Sequence, residues 1–179
     1  MCGIVGYVGD KCAKDVLIGG LRQLEYRGYD SAGIAVPDGK CGLEVVCRVG
    51  KVQELADAVE DMSLPASCGI GHTRWATHGK PSETNAHPHR DCSGKIAVVH
   101  NGIIENYAAL RDELKEQGHH FASETDTETV AHLLERYYDG DLAEAMRKTV
   151  AQLQGAYGIA AMCAEHPDEI VVTRKDSPI

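Results

Sequence analysis

The sequence predicts an α/β (α+β) domain of antiparallel sheets layered with helices. Apolar runs of strand length fall in adjacent groups rather than alternating singly with helices, which disfavours a doubly wound parallel sheet. Hydrophobic residues at 43% and charged residues at 25% are ordinary values for a soluble globular chain. A length of 179 residues suggests one domain, with room for a sizeable core and no need of a disulfide or metal staple.

The elements follow in order. Residues 2–8 (CGIVGYV) are a short apolar run bounded by Gly9, hence a buried strand. Val16, Leu17, Leu21 and Leu24 recur at helical spacing over 13–25, and Gly28 follows as a stop. AGIAV (32–36) and LEVVCRV (43–49) flank the turn Pro37-Asp38-Gly39-Lys40 and read as a hairpin. A short amphipathic helix over 51–60 and a strand over 68–72 come next. Residues 76–94 are rich in His, Pro, Ser, Asn and Gly, and read as a long loop; a loop of that length inside a compact domain is usually functional. KIAVVH (95–100) predicts a strand. Helices are expected at about 106–117, 126–138 and 141–152, and two closing strands at 156–164 and 169–174.

A net charge of −9 and a pI near 5.4 argue against sequence-independent nucleic-acid binding and against adhesion to anionic membranes. No apolar run approaches the roughly 20 residues of a membrane span, and MCGIVGYVGDKC lacks the features of a signal peptide. The cytoplasm is the expected compartment. Seven cysteines, an odd number without C-x-x-C spacing, do not form a disulfide framework, and most are expected to be small buried hydrophobes. Dinucleotide, P-loop, H-E-x-x-H and G-x-S-x-G motifs are all missing from the sequence. His87-Pro88-His89 offers two metal-ligand types, but a hydrogen-bonded polar loop explains it better, because no Cys or acidic ligand sits at a matching spacing. No cofactor and no metal are expected.

Cys2 follows the initiator Met. Removal of Met1 would leave a thiol beside a free α-amine, which titrates near ~7.7–8.0 and serves as base to its own side chain. Taken alone, Cys2 reads better as simply the first residue of a strand. Three polar segments accompany it. In Tyr26-Arg27-Gly28-Tyr29-Asp30-Ser31, Arg27 is a cation able to lower a thiolate pKa; otherwise the segment is a helix stop with a turn. In His72-Thr73-Arg74-Trp75-Ala76-Thr77-His78-Gly79, Arg74 offers a planar fork for a carboxylate and Thr77 a further donor; otherwise it is a surface loop with Trp75 packed inward. In His100-Asn101-Gly102, an amide donor and a backbone N–H at a strand end are what an oxyanion hole requires; otherwise this is a common Asn-Gly turn. Thr125 with Glu128 fits a capping box, which by itself accounts for most of this segment; as a further role, Asp126 could face a site and bind an ammonium group.

Together CGIVGY, YRGYDSAG, GHTRWATHG, NAHPH, VVHNGIIENY and SETDTE resemble, in order and across nearly the whole chain, the glutamine-hydrolysing domains of the glucosamine-6-phosphate synthase family, within the class II glutamine amidotransferases. The resemblance implies a four-layer α/β/β/α sandwich of two antiparallel sheets, of the N-terminal-nucleophile hydrolase type. It implies Cys2 as nucleophile, its α-amine as base and Arg27 beside it. Asn101 and Gly102 form the oxyanion hole; Arg74, Thr77 and His78 hold the α-carboxylate of L-glutamine; Asp126 holds its α-ammonium; Trp75 lines the ammonia exit. Fructose 6-phosphate would be met only through a synthase half, which nothing here resembles. The domain is therefore expected to run over 1–179 and to be truncated at its C-terminus, with at most a weak homodimer. Where the family commonly has Gly before Ser-Pro, this chain has Asp176. Amidophosphoribosyltransferases share the Cys2 start, and Tyr29 with Trp75-Ala76-Thr77-His78 favours the sugar-phosphate branch. A glutamine sensor without turnover and an inert fragment are the remaining alternatives.

Overall fold

The computed structural model describes residues 2–177. Met1, and with it the expected processing of the N-terminus, lies outside the described residues, as do Pro178 and Ile179. The elements are β1 (Gly3–Val8), α1 (Ala13–Leu24), β2 (Ser31–Pro37), β3 (Leu43–Val49), α2 (Val52–Val59), β4 (Cys68–Arg74), β5 (His89–Arg90), β6 (Ile96–Gly102), α3 (Tyr107–Glu116), α4 (Thr127–Tyr137), α5 (Leu142–Val150), β7 (Tyr157–Cys163) and β8 (His166–Lys175). One 3₁₀ turn, Glu25–Arg27, extends α1 to Gly28.

Two four-stranded antiparallel sheets, β1-β4-β2-β3 and β5-β6-β7-β8, stack face to face. The period-2 alternation of side chains assigns each face. On β2, Ala32, Ile34 and Val36 pack under α1 and α2 with Leu17, Leu21, Val52 and Leu55. Ala35 of the same strand points the other way, onto the second sheet. On β6, Ile96 and Val98 meet α3, α4 and α5 through Leu114, Val130, Leu134 and Leu142, while Ala97 and Val99 meet the first sheet. The layers are helix, sheet, sheet, helix. Because β2, β6 and β7 are covered on both faces, they read largely as continuous apolar runs rather than alternating ones.

The long loop contains one element the sequence did not announce. His89–Arg90 pairs with Val98 and Ala97 as a two-residue edge strand, too short to leave a periodic signal. β4 and β6 each run two residues further than expected, to Arg74 and Gly102. Gly33 explains the tight seat of the loop: a Cβ there would lie 2.3 Å from the His87 carbonyl oxygen. Only two of the seven cysteines, Cys68 and Cys163, are fully buried, and all seven are free thiols. The expectation that most are buried hydrophobes fails because turn residues such as Cys41 and Cys92 are exposed. Asp176 adopts φ +53°, the left-handed region that favours glycine.

Candidate active site

The C-terminal ends of β4 and β6 and the start of β1 meet at one edge of the intersheet space. β1 pairs with β4 with Gly3 opposite Thr73, which brings Cys2 beside Arg74 and Trp75. The Trp75 N–H donates to Cys2 Sγ at 3.2 Å, and Sγ lies 3.6 Å from the Trp75 carbonyl. A cavity of about 540 Å³ opens there. Cys2, Arg27, Asn101 and Gly102 line it, as do Arg74, Trp75, Thr77, His78 and Asp126. All nine residues singled out in the sequence thus share one cavity.

Arg74 is buried. Its Nη2 donates to the carbonyls of His78 and Gly79, the latter at 3.2 Å. Its Nη1 has no hydrogen-bond partner among the described residues. Burial pulls the Arg74 guanidinium below its ordinary value, opposed by Asp30, Cys2 and Asp126. A buried guanidinium that lines a cavity and keeps a donor unpartnered is a ready carboxylate site. Asp126 is also buried. Its Oδ2 accepts from the Ile104 N–H at 2.9 Å, and its carboxylate lies 3.9 Å from both His78 and His100.

Asp126 precedes α4, but the expected capping box is shifted. The Thr125 hydroxyl accepts from the Glu128 N–H at 3.4 Å, as a box requires. The Glu128 carboxylate does not return to Thr125; it accepts the N–H groups of Ala122 and Ser123, each at 2.7 Å, and the Ser123 hydroxyl at 2.7 Å. Burial would raise Glu128, but these bonds together with His132 bring it down to about 2. The result is a rigid 122–128 turn that carries Asp126 into the cavity.

Gly102 sits at φ +118°, and a Cβ there would lie 2.1 Å from the Ala156 carbonyl oxygen, so no other residue fits this strand end without moving β7. Trp75 is not packed inward; it is 55% exposed at the cavity mouth, with Ile103 on the same rim. Arg27 reaches the cavity from the 3₁₀ turn.

Four residues carry the geometry without having been singled out. Asp30 accepts from the Ala76 N–H at 2.6 Å, and its own N–H donates to the Arg74 carbonyl at 2.7 Å, which fixes the chain on both sides of Trp75. Asn85 ties the long loop to the 124 segment: its Oδ1 accepts from the Glu124 N–H at 2.9 Å, and its Nδ2 donates to the Glu124 carboxylate at 3.1 Å. The His72 Nε2 lies 2.8 Å from the Asn101 Oδ1. The His100 Nδ1 lies 2.9 Å from the Thr127 hydroxyl. For His72 and His100 the sequence signal was only that polar residues continue apolar strands; Asp30 and Asn85, in a turn and a loop, had none.

Behind the cavity these histidines form a buried set. His72 stacks on His87 at 4.2 Å, and His87 meets His89 edge-on at 4.9 Å. Burial lowers all four: His72 to about 3, His89 to about 4, His87 well below its ordinary value, and His100 downward despite Asp126. They are neutral hydrogen-bonding spacers. His87 and His89 are held by the His100 N–H and the Thr125 hydroxyl, which agrees with the polar-loop reading of that pair.

Residues 72–177 match the family described as "Glutamine amidotransferase domain". The glutamine–fructose-6-phosphate aminotransferase (isomerizing) of Caldanaerobacter subterraneus subsp. tengcongensis is 54% identical over the whole chain, and that of Streptomyces coelicolor is 57% identical. This chain spans 29% of the length of each. Among solved structures, the glutamine phosphoribosylpyrophosphate amidotransferase of B. subtilis, complexed with ADP and GMP, superimposes with a TM-score of 0.81 at 29% identity, over 97% of this chain and 37% of that one. The identity is about twice as high toward the aminotransferases as toward the amidophosphoribosyltransferase, in line with the branch suggested by the Trp75–His78 run. With its family match over more than half its length and its paired antiparallel sheets, the chain belongs to the class II glutamine amidotransferase domain family.

Proposed function

We propose that this chain hydrolyses L-glutamine to glutamate and ammonia through Cys2. The observation that carries the reading is the convergence on one cavity of an accessible thiol, a buried guanidinium with an unpartnered nitrogen, and a buried carboxylate. Free glutamine presents the matching charges, an α-carboxylate and an α-ammonium. Arg74, with Thr77 and His78, takes the carboxylate, and Asp126 takes the ammonium. The side-chain amide then lies at Cys2.

With Met1 removed, the α-amine of Cys2 accepts the thiol proton as Sγ bonds to the amide carbon. The carbonyl electrons move onto oxygen, where the Asn101 amide and the Gly102 N–H stabilise the charge; one such donor is typically worth ~10²–10³ in rate. The α-ammonium returns its proton to the leaving nitrogen, the C–N bond breaks and ammonia departs. Water, deprotonated by the same amine, then attacks the thioester and releases glutamate and the thiol. Arg27 supplies positive potential beside the nucleophile, and Trp75 borders the path by which ammonia leaves.

In a longer protein built like its relatives, this ammonia would convert fructose 6-phosphate to glucosamine 6-phosphate in amino-sugar synthesis, with the sugar bound by the partner half. Seven free thiols suit a reducing cytoplasm. Any homodimer of this domain is weak. No helix among the described residues is long and apolar enough to cross a membrane.

The test is intact mass with and without a diazo-ketone analogue of glutamine, alongside glutamate release. Loss of Met1 and a single adduct that is missing in Cys2→Ala are expected. A folded protein that releases no glutamate and takes no adduct would refute the reading.

A further inference from the structure

A second cluster lies away from the cavity, on the outer side of the second sheet. Cys92 from the turn between β5 and β6, His119 just after α3, and His132 and Glu135 from α4 place four donor atoms within 4.8 Å of one another. Cys92 Sγ lies 3.5 Å from His132 Nδ1 and 3.8 Å from His119 Nδ1. The Glu135 Oε2 lies 2.8 Å from His119 Nδ1 and 3.4 Å from His132 Nδ1. A tetrahedral zinc ion with bonds of about 2.0–2.3 Å has donor–donor edges of about 3.3–3.6 Å, which the four separations of 2.8–3.8 Å bracket.

The surroundings fit as well. The His132 Nε2, the ring nitrogen facing away from the cluster, has no hydrogen-bond partner among the described residues and points toward the Glu128 carboxylate at 3.7 Å. A small shift would close the carboxylate–histidine hydrogen bond found behind metal ligands. The His120 N–H donates to Cys92 Sγ at 3.4 Å, and the Cys92 N–H to the Glu135 Oε2 at 3.2 Å. The Phe121 ring packs edge-on against His132 at 4.4 Å.

We propose that Cys92, His119, His132 and Glu135 bind one zinc ion as a structural clip. One sulfur and two imidazole nitrogens select a borderline-soft transition-metal ion over magnesium or calcium. Four protein donors leave no open position, which marks a structural rather than a catalytic site. On binding, the Cys92 thiol releases its proton to solvent as the S–metal bond forms; thiolate and carboxylate together neutralise the divalent charge. The ion joins the β5–β6 turn, the α3–α4 connection and α4. Through Glu128, it buttresses the turn that carries Asp126. Spacing alone could not have found it, since 27 residues separate Cys92 from His119.

The experiment uses the untagged chain, stripped with a chelator and titrated with zinc or cobalt(II). One equivalent per chain is expected. The cobalt form should show d–d bands of tetrahedral intensity and a thiolate-to-cobalt charge-transfer band. Cys92→Ser should abolish the charge-transfer band, and both Cys92→Ser and His119→Ala should weaken zinc binding at least tenfold. Both positions are at or near the surface, so the variants should fold. Zinc at a hundredfold excess over its Kd should raise the midpoint of thermal unfolding by about 5–10 °C. Failure to bind one equivalent, or binding that both variants leave unchanged and which therefore sits elsewhere, for instance at Cys2, would overturn the proposal.

Discussion

Replacing His72 by Leu should slow turnover without weakening glutamine binding. The Asn101 Oδ1 can only accept, so His72 donates from Nε2 across 2.8 Å, which leaves the NH₂ of Asn101, a residue that lines the cavity, as the donor for the proposed oxyanion. His72 touches no atom of the proposed substrate; it positions one that does. A bond of this kind is worth about 0.5–1.5 kcal/mol net, and 1.4 kcal/mol is a factor of ten. Loss of the donor should therefore lower kcat about threefold to tenfold. Asn101→Ala, which removes the oxyanion donor itself, should cost about 10²–10³. KM should hold in His72→Leu, because Arg74 and Asp126 are untouched. His72→Gln, whose amide nitrogen reaches about as far as Nε2, should recover most of the rate. The assay is steady-state glutamate release for the wild type, both single variants and the double variant, with thermal midpoints recorded beside it. In the Asn101→Ala background, His72→Leu should have almost no further effect on kcat. An equal loss in both backgrounds would show that His72 matters only to the core, and the positioning argument would fail.

Other perturbations separate binding, backbone and protonation. Arg74→Ala removes a charge-assisted bond worth about 1.5–3 kcal/mol, so KM for glutamine should rise about 10- to 150-fold with a smaller change in kcat; an unchanged KM would remove Arg74 from the carboxylate site. Gly102→Ala would put a Cβ 2.1 Å from the Ala156 oxygen and 2.9 Å from the Tyr157 Cα, so the end of β6 must shift. Adduct formation at Cys2 should slow at least about tenfold and the thermal midpoint should fall; a wild-type rate would mean that the Gly102 N–H plays no part. The buried histidines predict acid sensitivity. His72 and His89 hold folded values near 3 and 4 against an unfolded value of about 6.5, so below that value the unfolded chain binds more protons than the native one. Their contribution to stability is complete above pH 6.5 and is lost as pH falls from there, toward 4 for His89 and toward 3 for His72. For two such groups the limiting slope near pH 5 is about 2.7 kcal/mol per pH unit. Urea midpoints between pH 7 and 4.5 would reveal it, and a flat profile would mean that these histidines are charged or solvated in the native state.

Much of this molecule was legible because its signals are local. The apolar period of α1, the Pro37–Lys40 turn and the continuous run of β6 each fix an element from within a few residues. The candidate site was legible for a different reason: taken singly, Arg74 and Asn101 are only polar residues that end otherwise apolar strands, and it was the resemblance of six motifs in order to one family that marked them as a set. Their convergence was a different matter. It depends on the register of β1 with β4 and on how the two sheets stack, neither of which has a local signature.

The residues that were missed share one physical property, that each bonds to a segment far away in sequence. His72 and Asn101 come from different sheets and meet only because both sit on intersheet faces, in step with Ile70 and Val99 respectively. Asp30 and Ala76 lie 46 residues apart, and Asn85 and Glu124 lie 39 apart. For Trp75 only the inward-packed alternative fails: a lone tryptophan is large enough that burial is a natural reading, yet its ring stands at the cavity rim. The same logic covers the metal ligands. Cys92 looks like an exposed turn residue, and His132 looks like a core histidine on α4. Only the seating of the β5–β6 turn against α4 turns them into neighbours. A shift of that turn by even one residue would separate them while leaving every local element intact.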